Sequence, residues 1–303
     1  MNAEKKRYAQ GRMTRSEMIE ALGRHGGEGL GAGAEPPPGL EWVSMPPKPD
    51  YFASPISRHR LLQELHGLLR PRTYFEIGVN KGRSLQLSRA KTIAVDPSYR
   101  ITAPIACDLR TFLKTSDDFF ATPNAFDHFA GVPVDLAFID GMHLAEFALR
   151  DFMNLEKKSH AGGIVILDDM LPRSSLEAYR VRRTRASWTG DVYKVHMVLS
   201  KYRPDLVLLP INCASTGSYM VAGLDPQNTV LDDKYGEFEP QLTSKDPQHI
   251  PEDWLRRRGA YNAEAILQSD IWADWREIRE SNGGRADYAP LLKRLASLPT
   301  DNN

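Results

Sequence analysis

The sequence predicts an α/β fold: a doubly wound, mostly parallel sheet with helices on both faces. Three observations carry this. Between residues 51 and 225, short apolar runs alternate with segments of helical periodicity, as βαβ units require. Most of these runs are apolar at every position, as in strands covered on both faces. The last two are separated only by residues 214–217. That gap is too short for a parallel crossover, so they form an antiparallel hairpin.

Taken in order, residues 1–50 read as an arm. An amphipathic helix is expected around Met18, Ile19 and Leu22, followed by a Gly- and Pro-rich linker over 25–50. Trp42 and Val43 either pin that linker to the body or ride in it. Residues 51–225 form the principal domain. Its strands are expected at 73–79, 91–97, 103–108, 134–140, 163–169, 206–213 and 218–224. Helices are expected at 58–70, where Leu61, Leu62, Leu65, Leu68 and Leu69 share a face, and at 143–157. A longer helix is expected over 174–202, broken near Trp188–Gly190. Residues 226–303 read as a C-terminal extension: a polar loop over 226–250, then helices at 262–281 and 287–297. This extension reads as a cap on the α/β body, with a substrate or oligomer contact as the alternative.

Composition removes several classes. Lys and Arg number 39, as do Asp and Glu, so the basic excess of a dedicated nucleic-acid binder is missing. Hydrophobic residues are 41% and charged ones 26%, which excludes global disorder. Two cysteines, Cys107 and Cys213, are too few for a secreted disulfide scaffold. No apolar run approaches the roughly 18 residues of a membrane helix. The charged N-terminus lacks the apolar core of a secretory signal. The expectation is a cytoplasmic protein with no nucleic-acid partner and no membrane span; a homo-oligomer stays open.

The segment FEIGVNKGRS, residues 75–84, joins the first strand to the second. Gly78 and Gly82 bracket a turn at the strand end, where open α/β sheets bind ligands, and glycine permits close ligand approach. Asp96 ends the next strand, 20 residues after Glu76, placed to accept ribose hydroxyls. A dinucleotide fingerprint would read G-x-G-x-x-G, but Asn80 takes the middle position and the run to the next strand is short for a crossover helix. S-adenosylmethionine carries no pyrophosphate, and its ammonium and sulfonium suit an acid such as Glu76. The cofactor set is therefore Glu76, Gly78, Gly82, Ser84 and Asp96. Asp108, after the third expected strand, is assigned to the adenine amino group or, equally, to a solvated loop.

Two further strands end in acids: Asp140 in AFIDGMH, and Asp168 with Asp169 in VILDDM. Gathered at one sheet edge, three carboxylates repel unless one is protonated or a cation lies among them. All-oxygen ligation points to Mg²⁺, with Mn²⁺ or Ca²⁺ as alternatives; in the structural alternative the acids cap a helix and bind backbone amides. His143, three residues past Asp140, has an ordinary pKa near neutrality and suits a general base or a supporting role at a helix start.

These motifs together, FEIGVNKG, VDP, FIDGMH and GGIVILDDM, resemble class I S-adenosylmethionine-dependent methyltransferases. More narrowly they resemble the metal-dependent macrocin- and mycinamicin-type sugar O-methyltransferases and related small-molecule enzymes. SWTGDVYKVHMVLSKYRPDL, residues 187–206, and the hairpin ending VAGLDP extend the likeness to about residues 70–225. The resemblance implies a Rossmann-like seven-stranded sheet with an antiparallel last strand. It implies metal ligation by Asp140, Asp168 and Asp169, with Asp140 and His143 as the catalytic pair. It also implies transfer to a small-molecule hydroxyl acceptor, a sugar or glycan. The sequence departs from the pattern at Asp168, where the sugar enzymes often carry Glu, in the short first crossover, and in both terminal extensions. A catechol or other diol acceptor, a non-catalytic cofactor-binding module and a nicotinamide oxidoreductase are the competing readings. Arg173, Arg180, Arg182, Arg183 and Arg185 read as a solvated helix face or as contacts to an anionic substrate.

Overall fold

The computed structural model describes residues 36, 39–45 and 54–301. The helix expected around Met18, Ile19 and Leu22 lies outside them. The core elements are α1 (Arg58–Leu69), β1 (Thr73–Ile77), β2 (Lys91–Val95), β3 (Asp108–Phe112), α2 (Ser116–Phe120), β4 (Val134–Ile139), α3 (Ala145–Glu156), β5 (Ser159–Asp168), α4 (Lys194–Tyr202), β6 (Val207–Asn212) and β7 (Ser218–Ala222). They are followed by α5 (Val230–Leu242), α6 (Glu252–Leu255), β8 (Tyr261–Asn262), α7 (Ala263–Leu267), α8 (Ile271–Glu280) and α9 (Arg285–Ala296).

The strands form one sheet in the order β3-β2-β1-β4-β5-β7-β6-β8. β7 is antiparallel to both β5 and β6, as the short hairpin requires, and the other pairings are parallel. The expected seven strands gain a two-residue edge strand, β8. Both faces of the sheet are buried. One apolar cluster joins Phe75, Ile77, Val165 and Val221 to α3, α4 and α5. The other joins Tyr74, Ile166 and Met220 to α1, α7, α8 and α9. This arrangement, helices over both faces of a mostly parallel sheet, is Rossmann-like.

Four expectations are corrected. The third strand is Asp108–Phe112, not 103–108: the polar DLRTF pairs in register with β2 from Lys91–Asp108 to Val95–Phe112, as an edge strand with one neighbour permits. Residues 174–190 form no helix, and the helix begins at Lys194. Glu177, fully buried, instead takes hydrogen bonds from Arg173 and Ser187, and Arg180 joins Glu146 to Asp191. Arg173 and Arg180 are thus internal ion pairs and Arg182 is buried on backbone carbonyls, while Arg185 is exposed; the run is not a helix face. Residues 230–242, expected as loop, are helical: Leu231, Tyr235, Phe238 and Leu242 recur at helix spacing and are all buried. The helix expected over 262–281 is two, α7 and α8, parted by Gln268–Asp270.

The extensions are tied to the body. Val43 N donates to Arg183 O at 2.7 Å, and the Arg185 guanidinium lies 5.8 Å from the Trp42 ring centroid. Trp275 Nε1 donates to Gly162 O at 2.8 Å.

A buried pair between α3 and the end of α4 offers a test of this packing. Arg203 donates to both oxygens of Glu156, at 2.6 and 2.8 Å, and both side chains are buried. Arg203→Met leaves that carboxylate buried without its guanidinium and should cost about 3–5 kcal/mol. Adding Glu156→Leu should recover much of the loss, because the charge goes too. Denaturant unfolding of the three proteins measures this; an additive double variant contradicts it.

Candidate active site

The parallel strands end together, and the loops leaving their C-terminal ends surround a cavity of about 770 Å³. That volume is typical of a small-molecule site. Along the edge, in strand order, come Ser116 after β3, Asp96–Ser98 after β2, Gly78 and Asn80 after β1, Asp140–His143 after β4, and Asp169 after β5. Arg58 and His59 at the start of α1, Arg182–Trp188, and Ala214–Thr216 complete the wall.

The first turn is built by its acid. Asp96 Oδ2 accepts from the amides of Val79 and Asn80 at 2.8 and 3.0 Å, and Oδ1 accepts from Ser98 N at 2.6 Å. Oδ2 thus spends both of its acceptor directions on the turn, and Oδ1 keeps one free. Gly78 has φ +90°, and a Cβ there would stand 1.8 Å from Asp140 O, so only glycine fits. Only a one-turn 3₁₀ helix, Leu85–Leu87, follows. No α-helix N-terminus therefore meets this turn to hold a pyrophosphate.

Not every expected cofactor residue faces the cavity. Glu76 is fully buried inside β1 and accepts from Tyr74 Oη at 2.7 Å and Ser84 Oγ at 2.8 Å. Burial pushes its carboxyl up to about 8. Glu76 and Ser84 thus bond to each other instead of lining the cavity, because alternation in the strand turns Glu76 to the same side as Tyr74. Gly82 also lies off the wall, closing the turn through Val79 O at 2.7 Å. Asp108 is displaced furthest. With β3 beginning at Asp108, that side chain sits at the N-terminal edge of the sheet, exposed and 2.9 Å from Lys91 Nζ. It cannot reach a ligand at the opposite edge, and the adenine assignment falls with the strand boundary.

The acids after β4 and β5 do meet. One ligand atom each from Asp140, His143 and Asp169 lie within 4.8 Å of one another. His143 Nε2 is 3.2 Å from Asp140 Oδ1, and its Nδ1 is 3.2 Å from Asp169 Oδ2 and 2.9 Å from Trp188 O. The imidazole stacks on the Trp188 ring at 5.1 Å. Asp168 turns away from this group: it takes hydrogen bonds from Arg58 and, at 3.1 Å, from Ser218, its partner in the β5–β7 ladder. Arg58 also lies 3.5 Å from Asp140. Thr216 holds the second oxygen of Asp169.

Electrostatics follow from this crowding. Burial pushes Asp169 up to about 7, with Asp168 and Asp140 adding to the rise and His143 opposing it. Burial also raises Asp168, against Arg58. For Asp140 the charges of Arg58 and His143 outweigh burial, and its carboxyl falls below its ordinary value. Burial lowers His143, but the neighbouring carboxylates of Asp169 and Asp140 override it and lift the imidazole to about 9. The raised carboxyls show that these acids are crowded together with less positive charge than would keep them all ionised. The carboxylate oxygens of Asp140 and Asp169 suit a hard divalent ion, whereas the imidazole is a softer donor. His143 and Asp169 both have positive φ, +57° and +60°, strain of the kind active sites hold.

Residues 75–170 match the family model described as a methyltransferase domain. The match covers about a third of the chain, and the sheet order is that of a Rossmann-like fold. The match spans Gly78, Asp96, Asp140, His143, Asp168 and Asp169, but neither Arg58 nor the Arg182–Trp188 wall. No curated protein matches the sequence. Among solved structures, the chain is similar to the SAH-bound methyltransferase PaMTH1 of Podospora anserina. Identity is 13%, covering 69% of this chain and 95% of that one, with a TM-score of 0.39. It is also similar to an O-methyltransferase from Bacillus cereus in complex with SAH: 17% identity, 58% and 84% coverage, TM-score 0.40. A third is MycE, a methyltransferase of mycinamycin biosynthesis in complex with Mg and SAH: 14% identity, 55% and 49% coverage, TM-score 0.39.

Two wall residues, Arg58 and Asp151, escape sequence reasoning. Arg58 carried one weak signal, its place just after the Ser57 helix cap. Arg182, weighed in the sequence as a contact to an anionic substrate, and Trp188, expected only as a helix break, both stand on the wall in a segment that is loop.

Proposed function

We propose that this protein transfers the methyl group of S-adenosylmethionine to a hydroxyl of a small polyhydroxylated acceptor, a sugar or glycan, with a divalent cation, Mg²⁺ or Mn²⁺, at the acceptor oxygen. One observation carries the reading: Asp140, His143 and Asp169 converge on the same cavity whose other end is the Gly78–Asp96 turn. A methyl donor on the turn and an acceptor at the acids would share one enclosed space. Ser57, Ser187, Ser215 and Thr216 line the acceptor end, which supports a polar acceptor.

In this reading Gly78 gives the donor room beside the backbone, and Asp96 accepts a ribose hydroxyl through the free direction of Oδ1. Asp140 and Asp169 would hold the cation, with Asp168 neutralised behind them by Arg58. When bound, the donor supplies an electrophilic methyl on a sulfonium and the cation lowers the acidity barrier of the acceptor hydroxyl. His143 takes the hydroxyl proton at Nε2, the nitrogen facing Asp140. Trp188 fixes the ring by stacking and by accepting from Nδ1, which orients the tautomer. With a cation held by Asp140 and Asp169, the carboxylates that raise His143 would be partly neutralised, leaving its imidazole to act as a base near neutral pH. The wall holds oxygen and methyl in line, which accounts for much of the remaining acceleration.

Three experiments test this. Asp96→Ala removes charge-assisted hydrogen bonds worth about 1.5–3 kcal/mol each, so S-adenosylmethionine and S-adenosylhomocysteine should both bind at least about tenfold more weakly by calorimetry; unchanged affinity would remove the cofactor from this turn. Chelation with EDTA should abolish methyl transfer and Mg²⁺ restore it, while Asp169→Asn raises the Mg²⁺ needed for half-maximal rate. Full turnover in excess EDTA would return these acids to a structural role. His143→Ala should slow turnover by about 10²–10⁴ with donor affinity unchanged, and a loss below fivefold would exclude it as the base. An acceptor screen over sugars and catechols separates the two acceptor classes.

A further inference from the structure

The C-terminal extension reaches the acids of the cavity through one side chain that the chemistry above does not use. Arg257 lies just past α6 and is 1% exposed. Its φ is +55°, in the left-handed region that residues with a Cβ adopt only at a conformational cost. Burial lowers the guanidinium to about 10, so it stays charged at neutral pH. Nη1 donates to Asn212 Oδ1 at 2.7 Å and to Cys213 O at 3.3 Å. Nη2 donates to Leu171 O at 3.2 Å and to Ser215 O. These acceptors belong to two pieces of chain. Asn212, Cys213 and Ser215 lie at the end of β6 and in the loop that turns back into β7. Leu171 stands two residues past Asp169. Trp254, in α6 itself, adds a bond from Nε1 to Met170 O at 2.8 Å. One short segment therefore grips both residues that follow Asp169, and the loop opposite them.

That junction is where Asp169 is oriented. Leu171 N donates to Thr216 O at 2.7 Å, and Thr216 Oγ1 donates to Asp169 Oδ1. A Cβ on Gly217 would stand 2.6 Å from the Leu171 side chain, so loop and chain meet without slack. Asp169 has φ +60°, a conformation that persists only where the surroundings over-determine it. A guanidinium suits the task because its planar fork of donors bonds several oxygens at once, in fixed directions. Without it, three backbone carbonyls and an amide oxygen lose the donor they share, and the loop can shift against Asp169.

We propose that Arg257 is a positioning residue for the cation site: by clamping the 213–216 loop to Leu171 it holds Thr216 against Asp169, and so keeps the Asp169 carboxylate within reach of Asp140. The assignment rests on the cation reading above. It makes the C-terminal extension a support for the acids as well as a cover for the sheet. Arg257 touches neither donor nor acceptor, and its effect passes through Thr216.

Titration with Mn²⁺ alone, followed by electron paramagnetic resonance, tests this without acceptor and so without turnover; S-adenosylhomocysteine affinity is measured alongside by calorimetry. Groups that orient a metal ligand from behind change metal affinity by about 10–100-fold when removed. Arg257→Ala should therefore bind Mn²⁺ about tenfold more weakly, with S-adenosylhomocysteine affinity unchanged. Thr216→Val should weaken Mn²⁺ to a similar degree. Adding Arg257→Ala to Thr216→Val should cause little further loss, because both act through one contact. Arg203→Met, which breaks the buried pair between α3 and α4, should bind Mn²⁺ as the wild type does, and so separates positioning from a general loss of stability. Circular dichroism verifies that each variant is folded. If Arg257→Ala is not, Arg257→Lys decides the matter: an ammonium cannot span the same four oxygens, so this variant too should bind Mn²⁺ more weakly. A folded Arg257 variant with wild-type Mn²⁺ affinity overturns the Arg257 assignment alone, as do losses at Arg257 and Thr216 that simply add, or an equal loss in Arg203→Met. A wild type that binds S-adenosylhomocysteine but no Mn²⁺ overturns the cation reading itself.

Discussion

At the ends of β1 and β4 the two backbones come so close that position 78 has no space for a side chain. Gly78 N donates to Val95 O at 3.0 Å, and Asp140 N donates to Ile77 O at 2.8 Å. The ladder therefore runs on past the assigned strands and draws three strand ends together. A Cβ at 78 would stand 1.8 Å from the Asp140 carbonyl oxygen, far inside van der Waals contact. The same constraint recurs at Gly190, where a Cβ would meet His143 O at 1.7 Å. One glycine lets the turn after β1 lie beside the acid after β4. The other lets the loop that carries Trp188 close over the imidazole. The crevice that open α/β sheets form beyond their strand ends is here narrowed to one cavity by these two approaches.

Placing Asp140, Asp168 and Asp169 beside one another stores repulsion that the fold must offset. Arg58 does so from outside the matched segment, reaching in from the first residue of α1. That helix start is held where it is by Arg58 N bonding to Ala214 O and by the bridge between Ser57 and Ala214. The hairpin that turns β6 back into β7 thus fixes the cation that balances β4 and β5. Much of the other charge in this region is internal too. Arg173, Arg180 and Lys194 pair with Glu177, Glu146 and Asp191, and these pairs give residues 172–193 a defined path without a helix. Buried pairs are weak sources of stability but costly to break, which suits a loop that must hold Arg182 and Trp188 in one place.

The strands were legible because parallel strands buried on both faces are continuous apolar runs, and the acids that end them stand out against those runs. Asp96, Asp140 and Asp169 were readable for that reason. What failed was legibility at edges and across distance. β3 has a single well-paired neighbour and a polar sequence, so APIACD looked more strand-like than DLRTF, and Asp108 was carried to the wrong end of the sheet. Glu76 was expected at the strand end, facing the ligand, but it lies inside β1, where alternation and two hydrogen bonds bury it. Arg58 and Asp151 contribute through contacts with Asp168 and Ser116, 110 and 35 positions away in the sequence, and no local pattern reports such contacts. The helix over 230–242 was hidden by its Gly236 and Pro240 despite a regular apolar spacing.

Two departures noted in the sequence, the short first crossover and the C-terminal extension, have one physical explanation. Among the described residues, the connections β1–β2 and β2–β3 contain no α-helix, so they cannot cover the face of the sheet they cross. An uncovered parallel sheet would expose Leu136, Phe138, Ile164, Ile166 and Met220, all buried here. α1 covers part of that face. The rest is covered by α7, α8 and α9, with Trp272, Trp275 and Tyr288 as the large side chains. The fit is close: a Cβ on Gly162 would stand 2.1 Å from the Tyr288 hydroxyl, and Arg276 and Arg279 bond to the last carbonyls of α1 and its cap. The C-terminal helices therefore complete a layer that the crossovers leave open, and by bonding to α1 they brace the element whose first residue, Arg58, reaches the acids.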